Sequence, residues 1–414
     1  MKTKSNKKVS FRRIFVISGF SWIFDAMDVG LISFIAAALI LEWGLTPQEA
    51  GLLGSVNAVG MLIGAVVAGS LADRIGRNKI LMYTVLLFSL ASGLAAFATT
   101  FGIFLVLRFF IGLGLGGELP VASTLVAENV PEHKRGRMVV LLESFWAVGW
   151  IISAAIAYFI MPIWGWRSAL IIGALPALLA IYMRKGLPDS PQFQSTAKNN
   201  TSILQNIKTL WSPKYARQTS MLWILWLLVM FSYHGMFLWL PSVMVLKGFG
   251  LIKSFGYVLL MTLTQLPGFF SAAWLVEKVG RKFVLITYLI MAAVSAIIFG
   301  NAESLPWLIG GGMALSFFFL GVTGTTYAYT TDHYDSTIRA TGAGFANAAG
   351  RVGAIIGPLL VGYLIANKVS FHNIFIMFFV ASIIAALNVL LLGKETRVKP
   401  IQDKKIESNI KEAL

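Results

Sequence analysis

Six ionisable side chains stand inside long apolar runs: Asp25, Asp28, Arg108, Glu118, Glu143 and Arg351. An unpaired charge in hydrocarbon costs roughly 3 kcal/mol on insertion scales. Each of the six must therefore be paired, protonated or facing a wet cavity. Asp25 and Asp28 are three residues apart and share one helical face. Carboxylates placed this way can load a proton on one side of a membrane and release it on the other, the work expected of Asp25, Asp28 and Glu118. Arg108 and Arg351 cannot give up their charge, and a guanidinium fork fits a carboxylate bidentately, so the expected ligand is an organic anion. Counted from the ends of their runs, Asp25, Asp28, Glu118 and Arg351 fall at mid-depth, Arg108 toward the outside and Glu143 toward the cytoplasm. Glu143 has a purely structural alternative, an ion pair with Arg135 or Arg137. Trp22, Trp146, Trp150, Tyr233, Trp239 and Tyr327 can stack on a flat ring, although Trp and Tyr also gather at membrane interfaces. His234 is a candidate ligand donor or proton relay.

The elements that position these groups are membrane helices. Hydrophobic residues make up 57% of the 414 and charged residues 13%, against about 25% charged in soluble proteins. Twelve apolar runs begin near residues 14, 50, 80, 103, 138, 168, 219, 255, 283, 306, 341 and 371. Each can reach the ~20 helical residues that cross a bilayer, and none shows the ten-residue alternation of a transmembrane barrel. The net charge of +16 reports topology: of 34 Lys and Arg, only Arg167, Lys247, Lys253 and Lys368 fall in external segments and only Arg108 and Arg351 within spans. That asymmetry follows the positive-inside rule, puts both termini in the cytoplasm and excludes a nucleic-acid partner. The first run, Ile14 to Leu41, is too long for a cleaved signal and reads as a retained helix. With no Cys, disulfides, thiolate metal sites and cysteine nucleophiles are excluded.

The chain is one unit written twice. A displacement of 204 residues aligns Asp73 with Glu277 and Arg77 with Arg281, and also Glu128 with Asp332 and Arg135 with Arg339. The mid-depth charges are not duplicated, since Asp25, Asp28, Arg108 and Arg351 align with Val229, Ser232, Gly312 and Ala147. Shared machinery is thus separated from the particular site. The expected divisions are a six-helix bundle over 1–185, a cytoplasmic interdomain segment over 186–218, a second bundle over 219–393 and a mobile tail over 394–414. Within the interdomain segment, Ser202-x-x-Gln205 opens a short amphipathic helix. Gly60/Gly64, Gly112/Gly116 and Gly353/Gly357 put small residues on helix faces, predicting tight seams along which helices slide.

G-x-L-A-D-R-x-G-R-x-K from Gly69 to Lys79 resembles the signature loop between helices 2 and 3 of the major facilitator superfamily. The resemblance implies twelve helices in two pseudo-symmetric bundles, with the Gly69, Asp73 and Arg77 latch and its second copy holding the cytoplasmic side shut while the outside is open. Pro131 to Arg137 and Pro188 to Phe193 resemble sugar-porter loops, with Gln192 in place of Arg, and imply a cytoplasmic charge network of Glu128, Arg135, Arg137, Glu143, Glu277, Arg281, Asp332 and Arg339 that rearranges during gating. Phe24-Asp-Ala-Met-Asp28, Arg108 to Pro120 and Gly350-Arg-Val-Gly353 resemble helices 1, 4 and 11 of aromatic-acid:proton symporters. Glu118 and Leu141 to Trp150 are similar to the bacterial niacin permeases.

The expected function is proton-coupled uptake of a small aromatic carboxylate, nicotinate first, across a bacterial cell membrane by a single chain. Asp25, Asp28 and Glu118 would carry coupling, and Arg108 and Arg351 would hold the anion. No cofactor or metal is expected. A proton-driven exporter, a sugar porter or a ligand sensor without transport are the alternatives. The G-P-rich helix 5 signature of drug antiporters is absent. For an enzyme, G-x-x-x-x-G-K-[ST], H-E-x-x-H and G-x-S-x-G are all missing and the four His are scattered.

Overall fold

The computed structural model describes residues 11–75, 77–128, 132–175, 203–335 and 338–396, with side-chain surroundings except at 11–14, 17, 18, 21, 69, 70, 72–78, 81, 117–141, 143, 203–206 and 340. All regular structure among them is helical: α1 (Phe11–Glu42), α2 (Pro47–Ile75), α3 (Arg77–Ala95), α4 (Phe101–Glu128), α5 (Glu132–Ala155) and α6 (Trp166–Gly173) in the first half. A surface helix α7 (Ile203–Leu210) precedes α8 (Ala216–Phe237), α9 (Leu240–Leu246), α10 (Leu251–Leu263), α11 (Gln265–Val279), α12 (Arg281–Asn301), α13 (Leu305–Asp332), α14 (Arg339–Ala366) and α15 (Phe371–Leu392). Nine stretches of the described residues are long and apolar enough to cross a membrane, with Met82–Ala95 and Phe101–Gly116 as shorter apolar helices. Together with the sixth run, of which α6 is the described part, they fill the twelve places counted in the sequence. Large side chains such as Val66, Phe97, Ile163 and Leu391 point outward, as the hydrocarbon side of such helices requires.

Local chemistry sets the breaks. Thr46 and Glu49 form a capping box at the start of α2, the Glu49 carboxylate accepting from Thr46 N at 2.9 Å. Pro267 lacks the N–H that would reach the Leu263 carbonyl, and α10 gives way to α11 just before it. There Thr264 Oγ1 donates to the carbonyls of Met261 and Met313, at 2.7 and 2.8 Å. Ahead of Pro162, α5 loosens into a π-helical turn, Ile156–Ile160.

The duplication read from the sequence recurs in the backbone contacts. A β-carbon on Gly64 would lie 2.1 Å from the Leu113 carbonyl oxygen, and one on Gly268 2.1 Å from that of Phe317. Likewise Gly149 would meet Ile23 O at 2.4 Å and Gly353 would meet Leu227 O at 2.2 Å. All four residues of the second half are the first-half residues displaced by 204. These seams, α2 on α4 and α5 on α1, and their copies α11 on α13 and α14 on α8, lie inside one bundle or the other. The expected tight packing is there. In each of these seams backbone meets backbone with no side chain between.

Among the described residues, contacts between the two bundles gather at the side assigned as external. Ser55 Oγ donates to the Ile355 carbonyl at 2.7 Å, and the rings of Phe34 and Phe255 meet edge to face with centroids 5.3 Å apart. A β-carbon on Gly51 would lie 2.5 Å from Pro358 O, and one on Gly362 2.5 Å from Pro47 O. That reciprocal contact brings α2 and α14 of opposite bundles backbone to backbone.

Candidate functional site

α1 and α4 bring Asp28 and Arg108 together. Arg108 Nη1 donates to Asp28 Oδ1 at 3.1 Å and Nη2 to Oδ2 at 3.0 Å, with both residues buried. The bidentate geometry engages both Nη groups and both carboxylate oxygens at once, while the buried Arg108 Nε has no hydrogen-bond partner among the described residues. Arg108, expected to hold the anion, is therefore occupied by a partner from its own bundle. Asp28, expected to carry protons, is occupied in the same way.

One turn away, Asp25 is fully buried and neither of its carboxylate oxygens has a hydrogen-bond partner among the described residues. Arg351, on α14 of the other bundle, donates through Nη1 to the thioether sulfur of Met61 at 3.3 Å. A thioether is a weak acceptor, and no carboxylate pairs with Arg351 among the described residues. Arg351 lies near enough to act on both Asp25 and His234 through its field.

Arg351 lines a cavity between the bundles, about 540 Å³ with the part continuous with solvent, whose walls come from α5, α8, α11, α13 and α14. Trp146, Tyr233, His234 and Tyr327 supply flat faces, and Thr323 and Asn347 supply hydrogen-bonding groups. Trp146 Nε1 donates to Tyr233 OH at 2.7 Å across the bundles, and Asn347 Nδ2 donates to Tyr327 OH at 3.2 Å. Next to this clasp, Trp146 and Ala147 pack on Leu266, Phe269 and Leu320 of the second bundle. Of the aromatic candidates, Trp146, Tyr233 and His234 line the cavity, as does Tyr327. Trp22 and Trp150 are buried behind it, Trp150 meeting Tyr233 edge-on at 6.3 Å. Trp239 Nε1 donates to the Pro358 carbonyl at 3.2 Å, away from the cavity on the side assigned as external. Thr323 and Asn347 were not singled out in the sequence, where neutral polar residues on apolar helices carry no signal.

The cytoplasmic network is described in its second copy. Arg281 pairs with Asp332, Arg339 Nε donates to the Tyr334 carbonyl at 3.3 Å, and Glu277 is exposed. In the first copy Gly69, Asp73, Arg77, Glu128, Arg135, Arg137 and Glu143, and likewise Glu118 at mid-depth, lie on described helices with their side chains outside the described residues. The tail differs from expectation at its start. The Glu395 carboxylate accepts from the backbone N–H groups of Arg281 at 2.9 Å and Lys282 at 3.2 Å, and Lys282 Nζ donates to the carbonyls of Leu390 and Gly393, each at 2.9 Å. An anion on a helix amino terminus and a cation on a helix carboxyl terminus both complement the macrodipole, so 394–396 is docked.

The Major Facilitator Superfamily model matches residues 18–272 and 255–413. Over 389 residues, 94% of this chain and 97% of the other, the sequence is 56% identical to the "Putative niacin/nicotinamide transporter NiaP" of Bacillus subtilis. It is 41% identical to the "Niacin transporter NiaP" of Acinetobacter baylyi, covering 93% of this chain and 94% of that one. Among solved structures, the xylose transporter XylE from E. coli in a partially occluded inward-open conformation superposes with a TM-score of 0.76 at 18% identity, covering 94% of this chain and 99% of that one.

Proposed function

The chain belongs to the major facilitator superfamily, a family of multi-pass membrane transporters, and on that premise we propose that it imports nicotinate together with protons by alternating access. The observation that carries the reading is Arg351. It is a cavity-lining cation whose described hydrogen-bond partner is a thioether, set among Trp146, Tyr233 and Tyr327. A carboxylate is a far better partner for a guanidinium than sulfur is, and the surrounding rings offer a stacking surface to a flat aromatic acid. The names of the two relatives supply the candidate, niacin. Of the residues expected in the site, Arg351, Trp146, Tyr233 and His234 are kept for binding, and Asp25 and Glu118 for coupling. Arg108 and Asp28 form the ion pair that holds α1 to α4. The cargo leaves chemically unchanged, so the protein is a carrier and not an enzyme, and one chain encloses the whole site.

The first relative's name includes nicotinamide, and Arg351 separates the two ligands. A neutral amide leaves the guanidinium without a counter-charge, whereas the acid neutralises it. In vesicles carrying the protein, counterflow of labelled nicotinate is expected to be saturable, competed by unlabelled nicotinate, and at least tenfold less sensitive to nicotinamide. Arg351→Gln abolishes it, and Arg351→Lys, which keeps the charge and loses the fork, weakens it. Equal competition by the amide together with full counterflow in Arg351→Gln would sink the assignment.

A further inference from the structure

We infer that Asn347 selects the ring of the ligand: its amide donates to the pyridine nitrogen while Arg351, one helical turn away, holds the carboxylate. This rests on the reading of the cavity as a nicotinate site, and adds to it which side chain tells nicotinate from an aromatic acid that lacks the ring nitrogen.

A pyridine nitrogen carries a lone pair in the plane of its ring and no hydrogen, so a hydrogen-bond donor is what recognises it. Several donors on the cavity wall are already spent. Trp146 gives its one N–H to Tyr233 at 2.7 Å, and Thr323 gives its hydroxyl proton to the Leu320 carbonyl at 2.8 Å, leaving only lone pairs. An Asn amide has two N–H donors. One of those on Asn347 goes to Tyr327 OH at 3.2 Å, and the other has no partner among the described residues. Tyr233, Tyr327 and His234 also bring donors to the wall, and the place of Asn347 on its helix sets it apart from them. Residues 347 and 351 both line the cavity and stand one turn apart on one face of α14. The acid group and the nitrogen of nicotinate lie on one edge of its ring, with a single carbon between the two positions. A ring with that edge turned to α14 meets Arg351 and Asn347 together, and its faces are left for the aromatic side chains. Tyr233, by contrast, is tied across the bundles to Trp146, so its surroundings change when the bundles rock. Asn347 and Arg351 travel together on one helix.

The amide is held in place from behind. Its bond to Tyr327 OH is backed by the edge-on contact of Tyr327 with Trp226, centroids 4.6 Å apart, and Trp226 Nε1 donates in turn to Thr330 Oγ1 at 2.8 Å. A donor positioned by its neighbours loses little freedom when the ligand arrives. Benzoate has the carboxylate and the ring but no acceptor at the Asn347 position. Once such a ring fills the cavity, the Asn347 N–H is covered with nothing to accept it, the penalty by which a site built for a hydrogen bond rejects an analogue lacking it. Isonicotinate carries its nitrogen opposite the acid group and picolinate carries it adjacent. Both move the acceptor away from Asn347.

The full chain, reconstituted into liposomes of phosphatidylethanolamine and phosphatidylglycerol, decides the matter by counterflow of labelled nicotinate against unlabelled acids. Nicotinate should compete better than benzoate by a factor of about ten or more, and isonicotinate and picolinate should rank with benzoate. Equal competition by nicotinate and benzoate overturns the inference without any variant, and leaves transport of aromatic carboxylates standing. Absence of any saturable nicotinate counterflow overturns the proposed function itself. Asn347→Leu, which removes the amide at similar volume, and Asn347→Ala, which removes it without adding bulk, then test the residue. In thermal-shift titrations of the purified variants, nicotinate should fall to the level of benzoate while benzoate binds as in the parent or better. A preference for nicotinate that survives both substitutions, or an equal fall for both acids, overturns the assignment to Asn347. Tyr327→Phe removes the oxygen behind the amide and should narrow the preference less than Asn347→Leu does. Full collapse in Tyr327→Phe with the preference intact in Asn347→Leu would give the recognition to Tyr327 and overturn the inference as stated.

Discussion

Arg108 and Asp28 are 80 positions apart in the chain and joined by two hydrogen bonds, which makes each a liability without its partner. Removing one member of a buried ion pair costs about 3–5 kcal/mol, while replacing both by neutral groups is often close to neutral. Asp28→Asn or Arg108→Gln alone should therefore lower the thermal unfolding midpoint in detergent markedly, and the double variant should regain most of the loss. A double variant no more stable than either single would show that the two charges are not a closed pair. The residue scale is also where the sequence was least sufficient. Charges on apolar helices mark themselves, so all of the mid-depth candidates were visible. Which aspartate of the two on α1 is taken by which arginine depends on one turn of helix and on how α4 leans against it. No spacing in the chain encodes that: Arg108, expected as a ligand for the substrate, stands in the structure paired with Asp28.

At the scale of elements, glycine seams of two kinds predict two kinds of failure. Gly64 and Gly149 stand where backbones touch inside the first bundle, so Gly149→Leu must push α1 and α5 apart and should destabilise the protein by at least the ~1–3 kcal/mol typical of overpacking. Gly51 stands between bundles, against Pro358. Gly51→Leu should leave the unfolding midpoint nearly unchanged and hold the external side ajar. Because the chain has no Cys, one introduced at Ser55 is a unique label there, and a membrane-impermeant maleimide should modify it faster in the Gly51→Leu background. Unchanged labelling would mean that this seam is not the closure. Gly64 and Gly353 stood out in the sequence as small residues on helix faces, whereas their counterparts under the 204-residue displacement, Gly268 and Gly149, have no neighbouring glycine four residues away to mark them. The α2–α14 contact joins non-equivalent helices and has no such signature.

The interdomain segment shows a third pattern. α7 ends on buried Leu210, whose carbonyl accepts from Thr219 at 2.9 Å, and beyond it Lys214 binds Asp335 at 2.5 Å while Tyr215 also donates to Asp335. The hydrogen bond from Lys214, with that from Tyr215, holds the Asp335 carboxyl below its ordinary value, and the same contact with Asp335 raises Lys214. The sign follows for each. Asp335 contributes above the ordinary carboxylate range and loses its contribution as pH falls through its depressed value. Lys214 contributes below the ordinary lysine range and loses it as pH rises through its raised value. Hydrogen exchange of 211–216 should thus stay protected from about pH 5 to 9 and rise only in stronger acid or base. Loss of protection near neutrality would rule out this pair as the tether. Both side chains are solvent-exposed, so the effect is modest.

For the whole molecule, the described contacts between bundles gather on the external side, while the cavity at mid-depth is lined mostly by the second bundle and by Trp146 of the first. Duplication, apolar runs and charge asymmetry are whole-chain properties, which is why the two-bundle architecture was legible before any contact was known. The direction in which the chamber is sealed is a property of contacts between halves, and a carrier must spend time sealed on either side. Alternating access then requires the Phe34–Phe255 face to part in every cycle. Phe34→Cys with Phe255→Cys, joined by a short bifunctional maleimide, should hold that face shut. Nicotinate binding, read by thermal shift of the purified protein, should survive, because the site on Arg351 is untouched. Net uptake and counterflow should both stop, since neither can proceed without reaching the outside. The singly substituted proteins, treated with the same reagent, should keep transporting. Continued transport by the joined protein would mean that the external side opens without separating α1 from α10, and the two bundles would then not rock as rigid bodies about the chamber.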